Sequence, residues 1–289
     1  MRSLTAHDQR VAGLGIPLVN VRPPRQPRWG DCDTVARPVS VLALECPRGF
    51  IDAPHIHRRS QLLYASAGVM SVVTREAAFL VPPQRAVWLP AGTEHEVHYK
   101  ADVSLRTLYI EPEANARLPS RCRVLEVSDL LRILILAATT LPPEYNRDGR
   151  DGRIMALLLD EIAAMPTVPL QAPIPRDERF ARACREMLKN PMRQQSLEDL
   201  ARTLSMSRRT ATRLFRRETG MTFTAWRQHV RLLDALSRLA EGRPVSAVAF
   251  EVGYRSLSSF TAMFRRTFGV TPSHYYSEPD TPARSVRQP

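Results

Sequence analysis

The sequence predicts an α+β multidomain chain: an N-terminal β-barrel of short strands, then an all-α C-terminal domain with two helix-turn-helix units. Three observations predict it. Short β-type runs alternate with turn signals over residues 36–112. Beyond them the apolar spacing becomes helical. Two stretches near the C-terminus repeat each other at an offset of 49 residues.

Size and composition set the frame. A length of 289 residues is that of about two domains. A hydrophobic content of 44% supplies real cores, and a mean hydropathy of −0.25 argues against disorder. The charge is lopsided: the net is +12, and residues 176–277 alone hold 19 Lys/Arg against 9 Asp/Glu. Such asymmetry points to a polyanion, either nucleic acid or an acidic membrane. Cys32, Cys46, Cys122 and Cys184 are scattered without a C-x-x-C pair, which indicates neither a structural zinc site nor a disulfide framework and fits a reducing cytoplasm. No signal peptide is expected, and the longest apolar run, around Ile133–Ala138, is too short to span a bilayer. A cytoplasmic protein without a membrane partner is the expectation.

Residues 1–35 are rich in Pro and Arg and read as a flexible arm. Within 36–112 the strand signals are Val39–Leu44, Gln61–Ala65, Val69–Thr74, Val87–Leu89 and Leu105–Ile110, broken at Pro47-Arg48-Gly49, Pro82-Pro83 and Pro90-Ala91-Gly92. Many short strands at this spacing make a small barrel or sandwich. Residues 113–175 read as a helical linker. Ser128–Thr140 carries Ser128 as N-cap and an apolar stripe of Leu130, Leu131, Leu134 and Ile135, and Gly152–Met165 is a second helix. The stripe can pair two subunits into a homodimer or pack on the barrel. Prolines 166, 169, 173 and 175 predict a stiff linker before the helical, basic segment 176–277. Residues 278–289 form a polar tail.

The repeat carries the most information. Ser207–Gly220 lies over Ser256–Gly269 with six of fourteen positions identical. Each copy opens on a serine able to N-cap a helix and closes on a glycine able to take the left-handed conformation. Ala211, Leu214 and Phe215 share one face, matched by Phe260, Met263 and Phe264. A shorter helix precedes each, with Ala201 and Ala249 small where two helices must cross. The units are 197–217 and 245–267, joined by a long helix over Thr222–Ala240 that ends at Gly242 and Pro244. Helix, short turn and second helix is the arrangement that places a recognition helix in the DNA major groove; two such helices on one face of B-DNA lie roughly 34 Å apart.

Segment 176–277 resembles the C-terminal domain of the AraC/XylS family of transcription regulators. The resemblance rests on Leu200-Ala201, Met206-Ser207, Arg213-Leu214-Phe215-Arg216, Thr219-Gly220, Ala249, Val252-Gly253-Tyr254, Phe264-Arg265-Arg266, Gly269 and Thr271-Pro272-Ser273. Ser205 departs from it, standing where the first unit often has Gly or Ala. The implied partners are double-stranded promoter DNA and, for an activator, RNA polymerase. On the face opposite the core the first recognition helix offers Arg208, Arg209, Thr212 and Arg213 as base readers; the second offers the smaller Ser258, Ser259, Thr261 and Ala262. Arg209 and Arg213 are spaced i, i+4, and arginine pairs well with guanine O6 and N7, so the first unit is expected to dominate specificity. Arg216, Arg217, Arg265 and Arg266 read as phosphate contacts, a role also open to Arg208.

Gly49-x5-His55-x-His57-x3-Gln61-x6-Gly68 resembles the first motif of the cupin barrels, with Gln61 in place of Glu, and Pro90-x-Gly92-x2-His95 resembles the second. There Gln84 replaces the opening Gly and Tyr99 the closing Asn. The resemblance implies a ligand set of His55, His57, Gln61 and His95. Its members either hold a divalent Zn, Ni, Fe or Cu, line the pocket of a small-molecule effector, or satisfy barrel hydrogen bonds. In a strand His55 and His57 point to the same face.

The reading is a sequence-specific DNA-binding regulator whose cupin-like barrel senses a small effector. The rival is a cupin-type metalloenzyme fused to a DNA-binding domain. Against it stand the loss of the carboxylate at Gln61 and the absence of any Ser-His-Asp order, phosphate loop or nucleophilic Cys pattern.

Overall fold

The computed structural model describes residues 35–193 and 195–275. The expected arm, apart from Val35, and the expected tail lie outside the described residues. The first half is two antiparallel sheets. The strands are β1 (Val39–Cys46), β2 (Ile51–His55), β3 (Ser60–Ala67), β4 (Met70–Thr74), β5 (Ala77–Val81), β6 (Arg85–Leu89), β7 (His95–Tyr99), β8 (Val103–Ile110), β9 (Arg123–Glu126), β10 (Thr167–Val168) and β11 (Gln171–Pro173). One sheet has the order β1-β8-β3-β6-β9-β10 and the other β11-β5-β4-β7-β2.

The alternation of apolar residues explains both layers. Leu63 and Ala65 of β3 join Val87, Leu89 and Leu105 in a core shared with Val72, Phe79, Val81 and Val97 of the five-stranded sheet. Their neighbours Leu62 and Tyr64 point the other way, with Trp88, Leu108 and Ile110. That outer face is covered by α1 (Asp129–Ala138) and α2 (Arg150–Ala164), through Leu131, Leu134, Ile135, Leu158 and Ile162. A strand buried on both faces reads as continuously apolar, as Leu62–Ala65 of β3 does. Ser128 caps α1 as expected, its side chain accepting from the Leu131 amide. Leu130, Ile133 and Leu157 stay exposed on the outside of the helix pair.

Two expectations need correction. The sheets do not end at residue 112, since β9, β10 and β11 complete them. The proline-rich stretch is therefore not simply a stiff linker: β10 pairs with β9, and β11 pairs with β5. Of these prolines only Pro173 lies within a strand, at the end of the edge strand β11, where a missing amide donor costs little. Leu170 and Ala172 anchor the stretch by burying completely. Strands β2, β5 and β7 also went unread.

The second half holds α3 (Glu178–Lys189), α4 (Leu197–Thr203), α5 (Arg208–Thr219), α6 (Phe223–Ala240), α7 (Val245–Glu251) and α8 (Leu257–Phe268). Helix α6 buries Phe223, Trp226, Val230, Leu233, Leu236 and Leu239, among others. Phe215 packs edge-on against Phe223 at 5.3 Å, and Phe260 against Phe264 at 5.6 Å. The halves meet at β11, where the Trp226 indole N–H donates to the Pro173 carbonyl at 2.7 Å and the His229 ring bonds the Gln171 carbonyl at 2.9 Å. Among the described residues no helix is long and apolar enough to cross a membrane.

Gly68 turns the chain between β3 and β4 at φ +81°, and a Cβ there would lie 2.1 Å from the Asp102 carbonyl oxygen. Gly220 also has positive φ but nothing within 4 Å. Gly68→Ala is expected to cost at least about 2 kcal/mol, from left-handed strain plus a backbone clash. Gly220→Ala should cost only about 1 kcal/mol. Thermal unfolding followed by circular dichroism separates them, at roughly 2–4 °C per kcal/mol for domains of this size.

Candidate nucleic-acid interface and histidine pocket

The first unit is set by its caps. Ser196 and Asp199 close a capping box at the start of α4. Ser205 takes φ +53° in the turn, and Gly253 takes φ +85° at the equivalent place in the second unit. The departure at Ser205 is thus a serine held in the left-handed region, a conformation costing about 1–2 kcal/mol for a residue with a Cβ. Ser207 and Ser256 cap α5 and α8, and Gly220 and Gly269 end them in the left-handed conformation.

Burial of Ala211, Phe215 and Thr219 turns the opposite face of α5 to solvent. Arg208, Arg209, Thr212, Arg213, Arg216 and Arg217 line one open depression there. Arg209, Arg213 and Arg216 have no acidic partner among the described residues, whereas Arg208 pairs with Glu198 of α4 at 2.9 Å and Arg217 with Glu218 at 3.3 Å. On α8, Ser258, Ser259, Ala262, Arg265 and Arg266 are exposed and Thr261 is half-buried. The Ser259 hydroxyl is engaged in its own helix cap, bonding the Ser256 carbonyl at 2.9 Å. Arg227, Gln228 and Arg231 of α6, which sequence reasoning missed, line a groove of ≈ 570 Å³ with residues of both units. The missed signal is an arginine pair at i, i+4 on the polar stripe of a long helix.

In the barrel three histidines converge. His55 ends β2 opposite His95 at the start of β7. His57 does not share a strand with His55, contrary to the expectation: β2 stops at His55, and His57 comes in from the loop that follows. Candidate ligand atoms of the three rings lie within 4.8 Å of one another. Ring centroids are 4.4 Å apart for His55–His95, 4.9 Å for His55–His57 and 5.5 Å for His57–His95. Gln61 lies opposite Tyr109 on the facing sheet, and the Tyr109 ring packs on His57 at 4.9 Å.

Hydrogen bonds orient the donors. The Nδ1–H groups of His55 and His95 donate to the carbonyls of Ala53 (2.7 Å) and Thr93 (2.9 Å). A carbonyl only accepts, so each ring's Nδ1 carries the proton and its Nε2 keeps the lone pair while the ring is neutral. Gln61 donates its amide N–H to Thr107 Oγ1 at 3.0 Å, leaving a buried Oε1 without a hydrogen-bond partner, as is His95 Nε2. Burial above all pushes His57 and His95 down to about 4, with the charge of His55 acting in the same direction and the Thr93 carbonyl opposing it at His95. While neutral, three imidazoles whose ligand atoms lie within 4.8 Å of one another are lone-pair donors that fit a borderline divalent ion. The replaced cupin positions keep local roles: Gln84 takes φ +62°, and Tyr99 O–H donates to the buried Asp52 carboxylate at 2.9 Å.

Comparison with known proteins bears on both halves. The family model described as the AraC-like ligand binding domain matches residues 38–223, and that of a helix-turn-helix domain matches 200–278. The HTH-type transcriptional regulator NimR of Escherichia coli K12 is 34% identical over 235 residues, covering 81% of this chain and 86% of NimR. The HTH-type transcriptional regulator RipA of Corynebacterium glutamicum is 43% identical over 132 residues, 45% of this chain and 38% of RipA. A crystal structure of a probable AraC family transcriptional regulator from Rhodopseudomonas palustris CGA009 aligns at 28% identity and a TM-score of 0.32, covering 34% of this chain and 94% of that one. These relatives are named as regulators, and the metalloenzyme alternative gains nothing from them. With a ligand-binding match over the sheets and a helix-turn-helix match over the duplicated units, the chain belongs to the AraC family: it is a DNA-binding transcription regulator with an N-terminal ligand-binding domain, and not an enzyme.

Proposed function

We propose that this regulator works in the cytoplasm, reads its operator chiefly through α5, and takes its effector in the histidine pocket of the barrel. The exposed row of arginines on α5, against the small side chains on α8, is the observation that carries the DNA reading. Arg209 and Arg213 read bases, joined by Thr212 and by Arg208 once it leaves Glu198; Ser258, Thr261 and Ala262 make short contacts in the second groove, with Ser259 tied to its cap. Arg216, Arg217, Arg265 and Arg266 hold phosphates. The sensing unit runs from residue 36 through β11, and 176–277 is the DNA-binding unit.

In the pocket, His55, His57, Gln61 and His95 are the residues that would hold a divalent Zn, Ni, Fe or Cu. A bound ion would offer Lewis-acid coordination to an effector's lone pair. Self-association runs through the outer face of α1 and α2, where Leu130, Ile133 and Leu157 are exposed. RNA polymerase is the expected protein partner at an activated promoter.

Three measurements test these assignments. Arg213→Ala should lose about 1–3 kcal/mol of discrimination, seen as weaker binding to an operator selected from a random pool with little change on a scrambled duplex. Equal weakening on both would make Arg213 a phosphate contact. Elemental analysis of purified protein should find close to one divalent ion per chain, lost in His55→Ala; metal content indifferent to that change would refute the ligand set. Light scattering at micromolar concentration should show a dimer that Ile133→Glu with Leu157→Glu converts to monomer.

A further inference from the structure

The groove between the two units carries unmatched positive charge. Three arginines line it: Arg208 from α5, and Arg227 and Arg231 from α6. Glu198 is the single acid among its lining residues, and it is spent on Arg208 at 2.9 Å. Arg227 is fixed structurally, donating to the carbonyls of Gln195 and Arg193 at 2.8 Å each. Arg231, one turn further along, has no acidic partner among the described residues, and its Nε is buried without a hydrogen-bond partner. Burial, and then the like charge of Arg231, pull Arg227 below the ordinary guanidinium range. Two neighbouring guanidiniums without a carboxylate leave the protein, by itself, with a repulsion that an anion relieves.

The groove's position identifies the anion. Its wall takes in Thr212 of the first recognition helix on one side and Gly253 and Tyr254 of the second unit's turn on the other. The Arg231 Nη1 lies 3.7 Å from where a Cβ on Gly253 would stand, so its guanidinium sits at the meeting of the two units. The first turn of α6, capped by Thr222 and free of acidic residues, opens into the same groove. Its amide ends favour an anion there. Two recognition helices in successive major grooves leave a minor groove, rimmed by the sugar–phosphate backbones of both strands, between them.

We propose that this groove seats the phosphodiester backbone of the operator spacer, with Arg231 as its phosphate contact. The inference rests on the reading that α5 and α8 dock in successive major grooves. Such a contact fixes register and spacing and reads no base.

Binding by fluorescence anisotropy between about 50 and 200 mM salt tests it, with the wild type, Arg231→Met, Arg231→Lys and Arg213→Ala as proteins. The probes are the selected operator, a scrambled duplex, and the operator with neutral methylphosphonate linkages in the spacer. One lost phosphate contact shifts the slope of log K against log salt by about 0.9. Arg231→Met is expected to show that shift and to weaken operator and scrambled duplex by the same factor; Arg231→Lys should keep the wild-type slope. Neutral linkages should impose the shift on the wild type and leave Arg231→Met unmoved. A wild type indifferent to the neutral linkages overturns the inference, whatever the variants' folding. So does a folded Arg231→Met with an unchanged slope. If Arg213→Ala still loses the operator selectively, the base-reading assignment survives that failure; a wild type that prefers no sequence would sink the assignment itself.

Discussion

The buried indole of Trp226 is the contact on which the rest of the arrangement depends. Its ring meets Phe215 of the first recognition helix edge-on at 5.9 Å and stacks with Phe223 at 6.5 Å. Its N–H reaches across to the Pro173 carbonyl of the barrel's edge strand. One side chain thus fixes α5 on α6 and α6 on the five-stranded sheet. Phe in its place would lack the donor, and His would lack the area. Without that donor the carbonyl would lose its bond where water has little access, a cost of about 1–3 kcal/mol.

The duplication separates what folds a unit from what a unit reads. Positions shared between the copies are the capping serines 207 and 256, the buried Phe215 and Phe264, and the terminal glycines 220 and 269. Each answers a backbone or packing demand that is the same in both. Of the outward positions, Thr212 and Thr261 are the same, while Arg208 and Arg209 stand where Leu257 and Ser258 do, and Arg213 where Ala262 does. Charge at these outward positions is therefore independent of the scaffold. The arginine pairs Arg216-Arg217 and Arg265-Arg266 persist in both copies at the last turn, where cations also suit the negative end of the helix.

Legibility in the sequence followed the locality of the physics. Caps, left-handed termini and amphipathic faces are set within a few residues, so helices α1, α2, α5, α6 and α8 could be read closely. Strands β1, β3, β4, β6 and β8 announced themselves by apolar runs. Strand β2 did not, since Ile51-Asp52-Ala53-Pro54-His55 mixes a buried acid, a proline and a histidine whose places are decided by β7 across the sheet. Strands β10 and β11 hide among prolines because edge pairing is a tertiary event. Motif spacing groups the three histidines, although only His55 ends β2; the loop after that strand brings His57 in. The arginine pair of the inter-unit groove was overlooked because its meaning lies in what surrounds it, namely an acid already matched and a second unit folded back onto α6.

The two functional regions share one layer of backbone. His55 and His95 sit on β2 and β7, neighbours at one edge of the five-stranded sheet, and β11 forms the opposite edge. Only β4 and β5 lie between in the sheet order. At that far edge the carbonyls of Gln171 and Pro173 are held by His229 and Trp226, three residues apart on one helix. The same helix carries Arg227 and Arg231 to the groove between the DNA-reading units. A hydrogen-bonded sheet packed on its inner face is stiff across its strands, and close-packed interiors transmit displacement more readily than they absorb it. A displacement of His55 or His95 would pull on the first edge, and the helix that carries Arg227 and Arg231 is bonded to the other. The histidine-bearing strands and the helix that carries Arg227 and Arg231 are therefore joined through one hydrogen-bonded sheet.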